Sequence, residues 1–148
     1  MDKSFTQLFL ENQLCFPLYA ASRLTTKIYA PYLNALDLTY PQYLVLMVLW
    51  EHKRQTVNEI GERLILESNT LTPLLKRMEQ KNLIHRTRSN VDERSVLITL
   101  TEKGDNLRNQ AVNIPEKLVA SMRDESISLK EIQDFQLTLR KLIALMNR

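Results

Sequence analysis

The pattern of apolar and polar positions predicts helices along most of the chain. Residues 41–52, PQYLVLMVLWEH, open with proline and are apolar on nearly every face. A helix without a polar side belongs in the middle of a protein core. We therefore expect residues 41–52 to form the central helix.

The segment up to about residue 35 predicts another helix. Its apolar residues recur at helical spacing: Leu14, Leu18 and Ala21. Pro17 lacks a backbone N–H and is tolerated only near a helix start, so we place that start close to Cys15 or expect a kink there. Asn12 is the predicted N-cap. Pro31 is expected to end or bend the helix after Tyr29.

Residues 56–81 contain two short helices with a tight break between them. TVNE at 56–59 is a capping box, in which Thr56 and Glu59 satisfy backbone donors at a helix start. The second helix follows ILESN and has one apolar face, formed by Leu71, Leu74, Leu75 and Met78. Its other face is polar and basic, with Thr70, Thr72, Lys76, Arg77, Gln80 and Lys81. Two helices of this kind are typical of a helix-turn-helix.

A β hairpin is predicted directly after the second helix. Residues 96–100 alternate in side-chain type, and residues 84–88 can pair with them as the preceding strand. The connection over residues 89–94 is polar and too long for a two-residue turn. We therefore predict a mainly α protein whose residues 41–100 form a winged helix-turn-helix with a two-stranded β wing.

The last third of the chain carries two apolar seams at helical spacing. The first seam consists of Leu107, Ala111, Ile114 and Leu118, and the second of Ile132, Phe135, Leu139, Leu142 and Met146. SLKE at 128–131 is a second capping box. Long seams need partners and suit an intertwined homodimer. We expect one domain over residues 1–148, with residues 1–35 and 101–148 as dimerisation helices.

Composition narrows the possible functions. The 148 residues include only two glycines, which disfavours a sandwich, a barrel or a glycine-rich phosphate loop. No apolar run approaches the roughly 20 residues of a membrane span. The N-terminus lacks the pattern of a secretory leader, so a cytoplasmic location is expected. One cysteine and two histidines make a poor ligand set, and we expect neither a metal nor a cofactor.

The positive charge is concentrated where the helix-turn-helix and wing are predicted. Residues 76–94 hold six basic and three acidic side chains, which accounts for the whole formal net charge of +3. A local basic surface of this kind is typical of binding to double-stranded DNA. An ordinary helical hairpin with a solvated basic face is the alternative interpretation.

Several polar side chains of the predicted helix-turn-helix and wing have an expected role in DNA binding. The second helix is expected to approach base edges and phosphates through Ser68, Thr70, Thr72, Lys76 and Arg77. Arg86 and Arg88 are expected on phosphates, and Arg94, at the wing tip, in the minor groove. Asp92 is expected to support the wing as an ion-pair partner of the arginine.

Long stretches of the chain resemble a known family. The run TLTPLLKRMEQKNLIHRTRSNVDERSVLITLTEKG resembles the winged helix of MarR-type bacterial repressors. LENQLCFPLYAASR and TYPQYLVLMVLWEH resemble one branch, the OhrR-type sensors of organic hydroperoxides. The resemblance covers residues from about 8 to 110. It implies a homodimeric repressor that leaves its operator when a cysteine is oxidised.

The resemblance also implies roles for individual residues. Cys15 matches the cysteine that reacts with peroxide, and Tyr29 and Tyr40 match tyrosines that reach this thiol from the other subunit. A helix N-terminus and phenolic donors both favour the thiolate, which is the nucleophile. Phe16 and Tyr19 suit an alkyl or aryl hydroperoxide. With no second cysteine, oxidised Cys15 would require a small cellular thiol or overoxidise.

Three alternatives remain open from the sequence. A free cysteine is most often a buried, inert residue, and tyrosines are often simple packing. A repressor of the same family could be released by a phenolic or other small ligand that binds without covalent chemistry. An enzyme, a thiol peroxidase, is the alternative of another class. The absence of a resolving cysteine and of a His–Cys pairing favours a regulator that is not an enzyme.

Overall fold

The computed structural model describes residues 3–123 and 126–148, apart from the side chains of residues 3 and 4. The chain divides into two compact units, residues 1–112 and 113–148, and each is considered by itself. The prediction of a single domain therefore stays a prediction. Within the described residues, no helix is long and apolar enough to cross a membrane.

The first unit contains five α-helices and a small sheet within its described residues. Two short 3-10 turns, Lys3–Leu8 and Leu10–Asn12, precede the first helix. The helices are α1 (Cys15–Asn34), α2 (Tyr40–His52), α3 (Val57–Leu64), α4 (Ser68–Gln80) and α5 (Glu102–Ala111). The strands are β1 (Arg54–Thr56), β2 (Ile84–Arg88) and β3 (Val96–Leu100). The predicted mainly α winged helix-turn-helix is confirmed.

Helix α2 lies in the core of the first unit, as its all-round apolarity predicts. Its buried residues are Gln42, Tyr43, Val45, Leu46, Val48 and Leu49. Thr39 starts the helix with a capping box: its hydroxyl accepts from the Gln42 N–H, and the Gln42 side chain accepts from the Thr39 N–H. This third capping box, in TYPQ, is a start signal that the sequence-based interpretation does not include.

The sheet has three strands in the order β1-β3-β2, not the two expected. The predicted wing hairpin is present, with Ile84 opposite Leu100 and Arg88 opposite Val96 in antiparallel register. Strand β1 pairs with the other edge of β3, where Arg54 lies opposite Thr99. Three residues, RQT, are too few and too polar to display strand periodicity, which is why β1 is not predicted.

Helices α3 and α4 form the predicted helix-turn-helix. Thr56 and Glu59 form the expected capping box at the start of α3. Leu71, Leu74, Leu75 and Met78 are all buried, as the spacing indicates. A Cβ added to Gly61 would lie 2.8 Å from the Leu66 carbonyl oxygen, so glycine permits the tight break between the helices.

At the first helix the predicted N-cap is wrong, and of the two outcomes expected at Pro31, an end or a bend, the end does not occur. Helix α1 begins at Cys15 as expected, and Pro17 is accommodated in its first turn, where a backbone N–H has no partner within the helix. Asn12 is not the N-cap, because its side-chain amide donates to the Thr6 carbonyl at 2.7 Å. Pro31 does not end the helix, which continues to Asn34.

The second unit contains α6 (Ile114–Met122) and α7 (Leu129–Met146). The capping box of Ser128 and Glu131 is present at the start of α7, as predicted. The first apolar seam does not lie on one helix, because α5 ends at Ala111 and a new helix begins with Pro115 in its first turn. A proline with a fixed φ starts a helix readily and cannot continue one.

Candidate functional site

A cleft of about 220 Å³ lies where the starts of α3 and α4 meet strand β2 and the wing. Its lining residues are mostly polar: Thr56, Val57, Asn58, Ser68, Thr72, Arg86, Arg94, Ser95 and Val96. Four of the predicted DNA-binding residues, Ser68, Thr72, Arg86 and Arg94, line this one surface. The remaining four, Thr70, Lys76, Arg77 and Arg88, lie outside its lining.

Helix α4 presents the predicted polar side chains to solvent. Ser68, Thr70, Lys76 and Arg77 are exposed, and Thr72 is half-buried. The opposite face of α4 is held in the core by its buried leucines and methionine. One side of the helix is therefore fixed, and the other is free to contact a groove. Lys81, placed on this outer face by the sequence pattern, instead bonds to the loop before α2, with its Nζ 2.6 Å from the Asp37 carbonyl oxygen.

The arginines of the hairpin differ in their surroundings. Arg88 and Arg94 are exposed, and neither belongs to an ion pair within the described part of the chain. Arg86 is half-buried and its Nη1 lies 3.4 Å from a carboxylate oxygen of Glu79 in α4. The Nε of Arg86 is buried without a hydrogen-bond partner among the described residues. Arg86 thus contacts both α4 and the cleft, whereas the charges of Arg88 and Arg94 have no carboxylate partner among the described residues.

Asp92 supports the wing through its turn and not through the expected ion pair. Its carboxylate accepts from the Arg94 backbone N–H at 3.0 Å and faces the Ser95 hydroxyl at 3.4 Å. Among the described residues, no ion pair joins Asp92 to an arginine. Carboxylates of aspartate commonly bond to backbone two residues on and stabilise turns, which explains the difference.

Cys15 is exposed and free, at the first position of α1. The preceding residue, Leu14, offers no side-chain cap, so the first N–H groups of the helix have no side-chain acceptor there. Tyr19 follows one turn later and is 62% exposed, with the Arg23 guanidinium 4.9 Å from its ring centroid. Phe16 is also exposed. The buried, inert cysteine of the alternative interpretation does not describe Cys15 in the single chain.

The two tyrosines predicted to act together lie in contact. The ring centroids of Tyr29 and Tyr40 are 4.7 Å apart, and Tyr43 lies 5.9 Å from Tyr29. Burial raises the pKa of Tyr29, Tyr40 and Tyr43 above the ordinary value of 10.0, and neighbouring phenols raise it further for Tyr29 and Tyr43. All three hydroxyls therefore stay protonated at neutral pH and can donate hydrogen bonds. We call these three residues the tyrosine cluster.

Cys15 and the tyrosine cluster do not meet within one chain. Both Cys15 and Tyr29 belong to α1, and a rise of 1.5 Å per residue separates them by about 21 Å along the helix axis. The thiol of Cys15 therefore does not contact the tyrosine cluster of its own chain.

Tyr43 and Trp50 are missing from the residues predicted for this site. Trp50 continues the cluster, with its ring 6.1 Å from Tyr43 in an edge-on arrangement. Tyr40, Tyr43 and Trp50 share a face of α2, at successive spacings of three and seven residues. The aromatic periodicity of TYPQYLVLMVLW is the signal that identifies them.

Comparisons with known proteins identify the family of this chain. A family model described as transcriptional regulator SarA/Rot matches residues 27–111. The organic hydroperoxide resistance transcriptional regulator of Bacillus subtilis is 52% identical over 139 residues, covering 94% of this chain and 95% of the relative. The chain belongs to the MarR family of winged-helix transcriptional regulators. The predicted resemblance to the OhrR-type branch is likewise confirmed.

Solved structures of this MarR family include DNA complexes. Reduced AbfR bound to DNA matches with a TM-score of 0.78 and 38% identity, covering 93% of this chain and 92% of AbfR. The disulfide form of AbfR matches with a TM-score of 0.63 and 42% identity, covering 90% and 92%. AbfR is a protein of Staphylococcus epidermidis. This chain is therefore a transcriptional regulator of the MarR and OhrR type.

Proposed function

We propose that this chain forms a homodimeric repressor that leaves its operator when an organic hydroperoxide oxidises Cys15. The observation that carries the proposal is the position of Cys15. The only cysteine in the sequence lies exposed at the start of α1, in a chain that is 52% identical to a named hydroperoxide-resistance regulator. Reactive cysteines occupy accessible positions, whereas buried structural cysteines are inert.

The exposed apolar residues of α1 support a second copy as partner. Leu24 is 54% exposed, and Leu33 is the only fully buried residue among the twenty of this helix. In the second unit, α7 has no buried residue, although its seam includes the 59% exposed Phe135. Covering such faces stabilises a protein by about 25 cal/mol for each Å² removed from water. A homodimer would cover them and would bring the partner's thiol toward the tyrosine cluster.

The cleft and α4 support binding to double-stranded operator DNA. In the dimer, the two α4 helices would enter successive major grooves about 10 base pairs apart. Ser68, Thr70, Thr72, Lys76 and Arg77 would approach bases and phosphates there, with Arg86 and Arg88 beside the phosphates. Arg94, exposed at the wing and free of an ion pair among the described residues, would reach the minor groove.

The proposed chemistry begins at the Cys15 sulfur. The thiolate attacks one oxygen of the hydroperoxide, an S–O bond forms and the O–O bond breaks. The sulfur loses two electrons, and the leaving alkoxide takes a proton to become an alcohol. The resulting sulfenic acid of Cys15 then reacts with a small cellular thiol to give a mixed disulfide and water. Phe16 and Tyr19, both exposed beside Cys15, suit an apolar alkyl or aryl group on the hydroperoxide.

Release of the operator follows from the change at the dimer interface. The protonated hydroxyls of Tyr29 and Tyr40 would donate to the partner's thiolate in the reduced state. Oxidation removes the negative charge, and a thiol adduct adds bulk between the subunits. Either change biases a two-state dimer toward an arrangement in which the two recognition helices no longer match the operator.

The relatives reported above are named as regulators, which supports a sensor over the thiol peroxidase. A sensor and a thiol peroxidase also differ in how much hydroperoxide each Cys15 consumes. A sensor consumes about one hydroperoxide per Cys15, whereas an enzyme turns over when thiol is added.

The experiment that tests the proposal measures operator binding before and after cumene hydroperoxide. A duplex selected from random DNA by the reduced dimer serves as operator, and the dissociation constant is measured for the wild type and for Cys15→Ser. Oxidation should release the wild type, and the serine variant should stay bound. Equal release of both would contradict the redox mechanism and favour a ligand that acts without covalent chemistry.

A further inference from the structure

We propose that Trp50 is a positioning residue that links the tyrosine cluster to the C-terminal end of α4. Helix α4 is the recognition helix, the helix proposed to enter the major groove. The inference rests on the proposed function, because it concerns how a change at the tyrosine cluster reaches the DNA-binding surface. Trp50 does not line the cleft. Its side chain contacts Tyr43 of the tyrosine cluster and also bonds to the start of α5.

The first half of the link consists of aromatic contacts along one face of α2. The ring centroids of Tyr40 and Tyr43 are 6.5 Å apart, and those of Tyr43 and Trp50 are 6.1 Å apart at an interplanar angle of 68°. Tyr43 is 2% exposed, so its ring lies inside the protein, and Trp50 is half-buried. Rings in edge-on contact inside a close-packed interior have few alternative positions. A shift of Tyr29 or Tyr40 therefore presses on Trp50 through Tyr43.

The second half of the link is a hydrogen bond to α5. The indole Nε1 of Trp50 donates to the carbonyl oxygen of Gly104 at 3.0 Å. Gly104 lies in the first turn of α5, against the backbone carbonyl of Leu83. A side chain at position 104 would collide with that carbonyl, so glycine is required for this close approach. Trp50 is thereby fixed to the point where α5 touches the segment after α4.

The start of α5 holds that segment by three further hydrogen bonds. The Thr101 hydroxyl donates to the Asn82 carbonyl at 2.6 Å, and the Thr101 N–H donates to the Leu83 carbonyl at 3.1 Å. Lys103 Nζ donates to the Lys81 carbonyl at 2.9 Å. Residues 81–83 join the end of α4 to strand β2, so they set the orientation of both the recognition helix and the wing. Movement of Gly104 would therefore be passed to the DNA-binding surface.

A second connection between the two regions is weaker. Lys81 Nζ donates to the Asp37 carbonyl oxygen at 2.6 Å and lies 3.0 Å from the Asp37 carboxylate, in the loop between the helices that carry Tyr29 and Tyr40. The Asp37 side chain is 87% exposed, and ion pairs at such exposed positions contribute little because water screens them. The contacts through the buried Tyr43 ring are screened far less. Trp50 is therefore the stronger candidate for coupling.

The test compares how strongly oxidation weakens operator binding in different full-length variants. Trp50→Phe keeps a ring against Tyr43 and removes the N–H that donates to Gly104. The ratio of dissociation constants, oxidised over reduced, should fall about 3- to 10-fold relative to wild type, the range typical of one hydrogen bond or one coupling residue. Thr101→Val, which removes the hydroxyl bond to Asn82, should lower the ratio in the same direction. His52→Gln removes a ring donor from the opposite face of α2 and should leave the ratio within about twofold.

Two additional measurements separate coupling from a merely structural effect. Intact mass should reveal the same extent of Cys15 oxidation in Trp50→Phe as in wild type, so that sensing persists while release is impaired. Trp50 is the only tryptophan in the sequence, and its fluorescence reports on the link directly. Its emission should change when cumene hydroperoxide oxidises the wild type and stay constant in Cys15→Ser.

Several outcomes would overturn the inference. A Trp50→Phe ratio within about twofold of wild type, with weaker binding in both redox states, would reduce Trp50 to a packing residue. Unchanged Trp50 emission on oxidation would have the same meaning. If the wild type itself stays on the operator after oxidation, the proposed function fails and the link fails with it. Release of wild type and Trp50→Phe alike would refute the link alone.

Discussion

Helices α4 and α1 differ in how much of their apolar surface the single chain covers. In α4, Leu71, Leu74, Leu75 and Met78 are at most 5% exposed, and the polar residues face outward. In α1, twenty residues contain one buried side chain, Leu33. The recognition helix is therefore complete within one chain, whereas the helix that carries Cys15 is not.

Because of this difference, α1 needs a second chain to cover its apolar surface, whereas α4 does not. The cleft that we propose faces DNA is assembled from α3, α4, β2 and the wing of one chain. Cys15 and Tyr29 of the tyrosine cluster lie about 21 Å apart along α1, so they do not meet within one chain. In the proposed function, the surface that contacts DNA is complete in one chain, whereas sensing requires the dimer.

The largest expected effect comes from charging the apolar face of α1. Leu24→Asp places a carboxylate where the second copy is proposed to pack, at little cost to a single chain in which Leu24 is 54% exposed. The dimer should dissociate, and operator affinity should fall about 10²- to 10⁴-fold because two half-sites are no longer bound together. Sedimentation velocity and operator titration measure the two changes.

A matched control changes the same position without adding a charge. Leu24→Met keeps an apolar side chain of similar volume and should leave both the dimer and operator binding close to wild type. A Leu24→Asp chain that stays dimeric would contradict the proposed interface.

The next effect concerns α4, whose apolar face needs no partner. Leu75 is fully buried, so Leu75→Ala should destabilise the fold by about 2–5 kcal/mol. Val91→Ala, at a wing position that is 98% exposed, should change stability by less than about 0.5 kcal/mol. Urea unfolding followed by circular dichroism measures both. A Leu75→Ala chain as stable as Val91→Ala would place the α4 core in doubt.

The two helices also differ in what the sequence alone reveals. The regular spacing of apolar residues in α4 and the capping boxes at Thr56 and Ser128 determine local structure, and both predictions are confirmed. Strand β1 is missed because three polar residues pair only through long-range contacts with β3. Local propensity alone would place the end of α1 at Pro31, but the helix continues to Asn34.

The candidate site follows the same division. The polar face of α4 is predictable because helical periodicity places its residues together. The Asp92 interaction is not, since the choice between an arginine side chain and the turn backbone depends on wing geometry. Tyr43 and Trp50 are missed because their importance comes from contacts with α1 and α5, which are distant in sequence.

A third prediction concerns Arg94 in the wing, whose proposed contact with DNA involves residues of a single chain. Arg94→Ala should weaken operator binding by about 1–3 kcal/mol and lower the slope of log affinity against log salt by about 1. Arg140→Ala removes the same charge from an exposed position of α7, outside the cleft, and should leave the slope unchanged. An unaltered slope in Arg94→Ala would argue against a contact between Arg94 and the DNA.

The smallest expected effect concerns the N-terminal cap of α3, which borders the cleft, in comparison with the start of α1, which carries Cys15. The start of α3 is capped by Thr56 and Glu59, whereas Leu14 offers α1 no side-chain cap. The Thr56 backbone N–H, followed by its hydroxyl, lowers the pKa of Glu59 below the ordinary value of 4.5. A carboxyl with a lowered pKa stabilises the fold above its unfolded pKa, and this contribution is lost as the pH falls through the folded pKa.

Glu59→Gln should therefore cost about 0.3–0.5 kcal/mol at pH 7, since Glu59 is exposed and screened. The difference from wild type should shrink below pH 4.5. Glu62→Gln, exposed on the same helix, is the control. Urea unfolding at a series of pH values measures both variants, and a Glu59→Gln difference that stays constant into acid would contradict the role of the cap.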